Sequence, residues 1–341
     1  MKNFISSPNP LIKGVRKSET FVFLAGPIQG ASKWRELVSE IPEVTWISPE
    51  REYVPDTGLS SIEWEKQVDW ETSGLRVSDV VIFWIPKPEK EISGRDYAQT
   101  TRMELLECLS RKKNLIVGID PSIHARRYMI KKCKDYGLGV VHETLDGVIE
   151  ELKSFLKNRK DGVFFTSDTH FSSPRTLELS KRPFKDINDM NLSLIERWNS
   201  VVTPNSTVYH LGDFGDYNIL KYLNGNIRLV LGNYEIKERE DLDLSPSKYI
   251  EWLKEKGFTT VSDSSYYKPL YTWMAHEPLK VKGYGSKYSL FGHIHGRQRV
   301  KKFGIDVGVD GNNYYPMSEK DVKFYLDAID KGYYDDEVFS Y

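Results

Sequence analysis

Cysteine is scarce in this chain of 341 residues: Cys108 and Cys133 are the only two, and they form no CxxC pair. A disulfide scaffold and a cysteine zinc site are therefore excluded, and a reducing, cytoplasmic setting is expected. Long apolar runs are lacking as well. Stretches such as 21–25 and Val80–Ile85 fall far short of the roughly 20 residues that span a bilayer, so no membrane partner is expected. Residues 1–19 hold Pro8, Pro10 and several charges but no apolar core, so they read as an extension and not as a secretory signal. No charge is in excess: 48 Lys and Arg face 49 Asp and Glu, leaving a net charge of −1. Without a cationic field, stable nucleic-acid binding is not expected. Internal repeats and low-complexity tracts are missing too.

What is present suits a globular chain: 39% of residues are hydrophobic and 28% charged. At about 150 residues per domain, the length allows two domains. In the first half, short apolar runs at 21–25, 44–47, 80–85, 115–119 and 139–141 read as buried strands. Helical patterns at 32–40, 61–77, 99–111, 123–136 and 145–156 separate them. This alternation predicts an α/β fold with a parallel sheet between helical layers, flavodoxin- or Rossmann-like, over residues 20–157. The polar segment 158–162 reads as a linker. Residues 163–341 mix helices at 187–202 and 245–256 with many short strands and form the second domain.

The histidines are unevenly spread. Only His124 and His142 lie in the first half; His170, His210, His276, His293 and His295 lie in the second. Four of the latter fall within short patterns just after apolar runs: Asp168-Thr169-His170, Gly212-Asp213, Gly232-Asn233-Tyr234-Glu235, Ala275-His276-Glu277 and Gly292-His293-Ile294-His295-Gly296. Two Asp, one Asn and four His make a donor set for Mn, Fe, Ni or Zn. A carboxylate can bridge two such ions, which together promote attack on phosphorus. The stretch from about 162 to 329 resembles the calcineurin-like metallophosphoesterases, which carry these motifs on an α/β/β/α sandwich. The resemblance implies two divalent ions, manganese first. Asp168, His170 and His295 would hold one, Asn233, His276 and His293 the other, and Asp213 would bridge. Residues 308–313 resemble the closing segment of the family. Tyr234 stands where the family has a histidine that contacts the phosphate and assists the leaving group. A phenol with a pKa of about 10 is a poor proton shuttle at neutral pH. His210 reads as structural.

In the first half, the first strand ends in Gly26-Pro27-Ile28-Gln29-Gly30, a turn of the kind that receives a ligand's phosphate or sugar. Trp70-Glu71, Ser78-Asp79 and the run 100–104 add carboxylates near element ends. Paired carboxylates serve glycosyl transfer. The residues FLAGPIQGASKW, ISPE, VDWE, SDVVIFWIP and TTRMELLE, over about 20–150, resemble the nucleoside 2-deoxyribosyltransferase-like family. By that resemblance Glu104 is the nucleophile, Glu71 the acid for the base, Asp79 lies near base or sugar, and Gly26, Pro27 and Gln29 line the pocket. Trp34 and Trp84 read as core. Glu104 is followed by Leu105 and Leu106, where the family has a small residue, so a reshaped pocket is expected.

Together the two resemblances imply a bifunctional nucleotide-processing enzyme acting on a nucleotide or nucleoside: phosphoester hydrolysis in one half, N-glycosidic cleavage or deoxyribosyl transfer in the other. The compact second half also resembles phage phosphoesterases, which would place the protein in a host cytoplasm. A homo-oligomer fits the first family. Two alternatives remain at this point. One is a single active phosphoesterase with a silent nucleotide-binding domain, the other a metal-dependent nuclease.

Overall fold

The computed structural model describes residues 3–11, 19–38, 41–51, 59–91, 94, 96–124, 126–278 and 286–334. The chain divides into two compact units between Lys160 and Asp161. Among the described residues no helix is long and apolar enough to cross a membrane.

The first unit is built on five strands: β1 (Asn3–Ser7), β2 (Thr20–Ala25), β3 (Val44–Arg51), β4 (Val80–Ile85) and β5 (Leu115–Ile119). Their order is β1-β3-β2-β4-β5, all parallel. β2 and β4 are buried along their whole length, which is why they read as unbroken apolar runs. Helices α1 (Ser61–Val77), α2 (Gln99–Ser110), α3 (Arg126–Asp135) and α4 (Leu145–Asn158) connect or flank the strands. One sheet face, with Val22, Trp46, Ile82 and Ile116, packs with Val148 and Leu152 of α4. On the other face α1 lies so close that a Cβ on Gly74 would come within 2.6 Å of Phe23. α1 starts cleanly because Ser60 and Glu63 cap each other's backbone N–H groups.

Three expectations are corrected here. Residues 3–7 are not an extension outside the sheet; they add a strand to its edge beside β3. Residues 139–141 form no strand: Val140 is exposed, and only His142 reaches the sheet, through its bridge to Gly118. The helix expected at 32–40 is a 3₁₀ turn at Trp34–Leu37, and residues 39–40 lie outside the described residues.

The second unit holds two five-stranded sheets. The first orders as β15-β6-β7-β8-β9, with β6 (Val163–Thr166), β7 (Thr207–His210), β8 (Asn226–Val230), β9 (Thr260–Ser262) and β15 (Met317–Ser318). The second orders as β10-β11-β12-β14-β13, with β10 (Ser265–Tyr267), β11 (Thr272–Met274), β12 (Tyr288–Phe291), β13 (Val300–Lys301) and β14 (Gly304–Asp306). Phe165, Tyr209 and Val230 of the first sheet region cluster with Met274, Leu290 and Ile305 of the second and with Val322 and Leu326 of α9 (Glu319–Asp330). Helices α5 (Pro174–Leu179), α6 (Ile187–Val201), α7 (Asn233–Asp241) and α8 (Pro246–Lys256) complete the unit. β6, β7 and β8 run parallel to one another, as do β11, β12 and β14. Their carboxyl ends are where the histidine and aspartate patterns begin.

Candidate functional site

In the first unit the chain leaves β2 for β3 on one side and later returns to β4 on the other. Ligands of open parallel sheets bind at the carboxyl end of such a switch point. A cavity of about 1000 Å³ lies there, lined by Gly26, Pro27, Gln29, Glu71 and Glu104 among others. Gly26 is required: its φ is +153°, and a Cβ would sit 2.3 Å from the Trp84 carbonyl oxygen. Trp34 and Trp84 are core residues beneath this turn.

α1 presents Trp64, Gln67, Val68 and Glu71 to the cavity, a spacing that defines one helix face. Gln67 donates to Glu71 Oε1 at 2.7 Å and to the Pro49 carbonyl at 2.9 Å, which fixes the Glu71 carboxylate. α2 contributes Glu104 from its second turn. Burial, then the nearby Glu71 charge, push the Glu104 carboxyl up to about 7, against the pull of Arg35. Burial raises Glu71 as well. Leu105 is packed in the core and Leu106 is turned to solvent, and neither is among the residues that line the cavity.

Asp79, expected near base or sugar, is misplaced by that reading. It sits at the amino end of β4, and the six-residue strand puts it roughly 20 Å from the cavity end. Its Oδ2 accepts the Phe21 N–H at 2.7 Å and its Oδ1 lies 3.5 Å from Arg159, so it ties β2 to the end of α4. Arg35 was not anticipated. Its buried guanidinium donates to the carbonyls of Leu24 (3.1 Å) and Gly26 (2.7 Å), lies 3.7 Å from Glu50, and stacks on Trp34. No spacing in the sequence marks it out, since it works through backbone carbonyls nine and eleven residues away.

In the second unit, Asp168 and His170 follow β6, Asp213 follows β7, Asn233 follows β8, His276 follows β11, and His293 and His295 follow β12. The seven side chains converge. His170 Nε2 lies 3.4 Å from Asp213 Oδ2 and 4.0 Å from Asp168 Oδ1; His295 Nε2 lies 3.9 Å from Asp168 Oδ1. His276 Nε2 lies 3.5 Å from Asp213 Oδ2 and 2.8 Å from Asn233 Oδ1, and His293 Nδ1 lies 3.2 Å from the same Asn233 oxygen. Two groups have metal-holding geometry: Asp168, His170 and His295, and Asp168, Asp213 and His276. Asp168 is thus shared by the two groups, as well as Asp213 standing between His170 and His276.

These residues fit a metal. Donors about 2.1 Å from one ion at tetrahedral or octahedral angles lie roughly 3.0–3.4 Å apart; the separations here run from 2.8 to 4.0 Å, widest between Asp168 and the His170 and His295 rings. His170 Nε2 is buried without a hydrogen-bond partner, and burial holds this imidazole neutral by lowering its pKa to about 3. A neutral ring nitrogen that faces carboxylates without a hydrogen bond suits a metal ligand. Asp168, His170, Asp213, His293 and His295 all have positive φ, between 46° and 70°. Such backbone strain collects where side chains must be aimed at a site. Gly232 and Gly292 allow the close approach, since a Cβ on either would come within 2.3 Å of an aspartate oxygen.

A supporting layer surrounds the cluster. Asp310 accepts from His295 Nδ1 at 2.8 Å and from Arg182 at 2.8 and 2.9 Å; these partners outweigh burial and hold it down at about 2. Arg182 also donates to the carbonyls of Asp168 and Thr169. Glu235 accepts the N–H groups of Asp213, Phe214 and Gly232. Glu235 and Asp310 lie inside the noted patterns; Arg182 has no sequence signal. His210 is fully buried and pairs with the Thr169 hydroxyl at 2.9 Å, a structural role beside the cluster. Tyr234 is partly exposed, its ring edge 4.7 Å from His170 between centroids. It lines a cavity of about 370 Å³ that opens onto the cluster.

Residues 19–123 match the family model described as nucleoside 2-deoxyribosyltransferase like. The first unit thus carries a nucleoside 2-deoxyribosyltransferase-like domain. An uncharacterized protein of Methanocaldococcus jannaschii, MJ1445, is 28% identical over 186 residues, covering 50% of this chain and 92% of its own. Among solved structures, the protein of unknown function AQ665 from Aquifex aeolicus aligns at 20% identity with a TM-score of 0.36. That alignment covers 48% of this chain and 99% of AQ665.

Proposed function

We propose that this chain is a bifunctional nucleotide-processing enzyme. Its first unit cleaves the N-glycosidic bond of a nucleoside or nucleotide, and its second hydrolyses a phosphoester with two divalent ions. The observation that carries the first activity is the placement of two carboxylates with raised pKa values, Glu71 and Glu104, in one cavity at the switch point of a deoxyribosyltransferase-like domain. Ionised Glu104 attacks the anomeric carbon while the bond to the base breaks. The electron pair leaves with the base, and protonated Glu71 supplies the proton. Water or a second base then displaces Glu104 from the sugar and restores the carboxylate. Arg35 supports the ionised form of Glu104 by its charge and holds the turn at Gly26 by its hydrogen bonds.

The second activity rests on the convergence of seven donors on two sheets' ends. Asp168, His170, Asp213, Asn233, His276, His293 and His295 would hold the ions, with manganese the proposed metal and iron, nickel or zinc of the same donor preference. Bound there, such ions supply Lewis-acid activation of water and charge stabilisation at phosphorus. The chain's own part is to orient the donors, through Glu235, Asp310 and Arg182, and to present Tyr234 to the substrate. Substituting Glu104→Gln and Asp213→Asn separately, and following base and phosphate release from a panel of nucleotides, tests the reading. Each substitution is expected to remove one product and spare the other.

A further inference from the structure

The cavity over the metal-ligand cluster carries more positive charge than a phosphoester at the cluster requires. Arg175, Lys181 and Arg297 line it, and among the described residues its one lining carboxylate, Asp213, is committed to His170 and His276. Among the described residues, none of the three cationic side chains has a hydrogen-bond or ion-pair partner. They come from two segments: Arg175 from the first turn of α5 and Lys181 from the turn directly after it, and Arg297 from the loop two residues past His295.

Lys181 is held in place. Ser180 Oγ lies 3.2 Å from His295 Nδ1 on one side, and on the other the buried Arg182 grips Asp310 and the Asp168 carbonyl. Between these anchors Lys181 takes a φ of +48°, a strained conformation for a non-glycine residue. The backbone at Lys181 is therefore fixed by its neighbours' contacts to the cluster itself.

We propose that this cavity selects a nucleotide whose phosphate chain continues past the scissile phosphoryl group, gripping the second phosphate with Arg175, Lys181 and Arg297. The inference rests on the phosphoester reading of the cluster and names its substrate class, a phosphoanhydride-bearing nucleotide. Guanidinium forks match phosphate oxygens in pairs, and lysine adds a point charge. A space of about 370 Å³ accommodates a diphosphate group, and the exposed Leu179 and Tyr234 at its edge offer contact to the sugar or base. A nucleic-acid strand would call for cations repeated along a surface, whereas here they are gathered in one cavity on a chain of net charge −1.

The test uses the full chain with Mn²⁺. Phosphate release is compared for p-nitrophenyl phosphate, a nucleoside monophosphate and the matching nucleoside diphosphate. In parallel, pyrophosphate and orthophosphate binding is titrated by calorimetry in chelator, where only the protein's own cations act. The diphosphate is expected to exceed the monophosphate in kcat/KM by about tenfold or more, and pyrophosphate to bind tighter than orthophosphate by a similar factor. Arg297→Gln and Arg175→Gln should each bring both ratios towards one, while Lys181→Arg should preserve them. Hydrolysis of p-nitrophenyl phosphate without a diphosphate preference would overturn this inference alone. Failure to hydrolyse any phosphate with metal present would overturn the phosphoester reading as well. Tight DNA or RNA binding that falls steeply with salt and is lost in Arg297→Gln would replace the diphosphate with a nucleic-acid strand.

Discussion

Glu235 accepts the backbone N–H of Asp213 at 2.8 Å, so a fully buried carboxylate fixes the residue whose own carboxylate stands between His170 and His276. The same Glu235 also takes the N–H groups of Phe214 and Gly232. Glu235→Ala would leave three buried donors without an acceptor. It is expected to destabilise this loop by about 3 kcal/mol, seen as roughly hundredfold faster amide hydrogen exchange at Asp213 and Phe214. Unchanged protection there would show that the loop is held by other contacts.

In the proposed glycosidic site, Glu104→Gln would remove the proposed nucleophile while keeping the shape of the side chain. Base release should fall by about three orders of magnitude or more, and phosphate release should stay at the level of the unmodified protein. Glu71→Gln should cost base release about a hundredfold or more, with the smallest effect on substrates whose base leaves without protonation. Equal losses across all leaving groups would argue against an acid role for Glu71.

The pH dependence has a definite sign. In the proposed mechanism Glu104 attacks as a carboxylate, and burial, then the Glu71 charge, push its carboxyl up to about 7, so for substrates whose base leaves without protonation, base release should rise with pH through neutrality. Removing the Glu71 charge in Glu71→Gln removes one of the three raising causes, so the rising limb should move to lower pH. Arg35→Met removes a lowering cause, so there the limb should move to higher pH. Profiles of kcat/KM for base release check both shifts; movement in the opposite sense in either variant would contradict the assignment.

Asp213→Asn should reduce bound metal and abolish phosphoester cleavage while base release continues. Metal content by mass spectrometry and phosphate release by colorimetry measure the two effects. Tyr234→His tests whether the phenol is only a poor acid. If so, turnover of substrates with poor leaving groups should rise by about tenfold or more. A fall would assign Tyr234 a contact of its own with the substrate.

Much of this was legible in the sequence because burial and chain turns leave local signatures. β4, β5, β6, β7 and β12 are short apolar runs that end where the structure ends them, and the Asp, Asn and His patterns after β6, β7, β8 and β12 begin at turns that positive φ or glycine makes possible. What was not legible works at long range. Arg35 and Arg182 act through carbonyl oxygens of other segments, and Asp79 has the composition of a site residue but the position of a brace between β2 and α4. Residues 139–141 are apolar enough for a strand, yet nothing covers Val140. Leu106 follows Glu104 in sequence but leaves the cavity because a helix turns residues two apart to different faces.

The most direct test is product analysis by liquid chromatography and mass spectrometry on the full chain, incubated with ribo- and deoxynucleosides and nucleotides, with Mn²⁺ and again in chelator. A two-site enzyme releases free base under both conditions and phosphate only with metal. Phosphate without base under any condition would contradict glycosidic cleavage by the first unit, and phosphate that persists undiminished in chelator would contradict metal-dependent hydrolysis by the second.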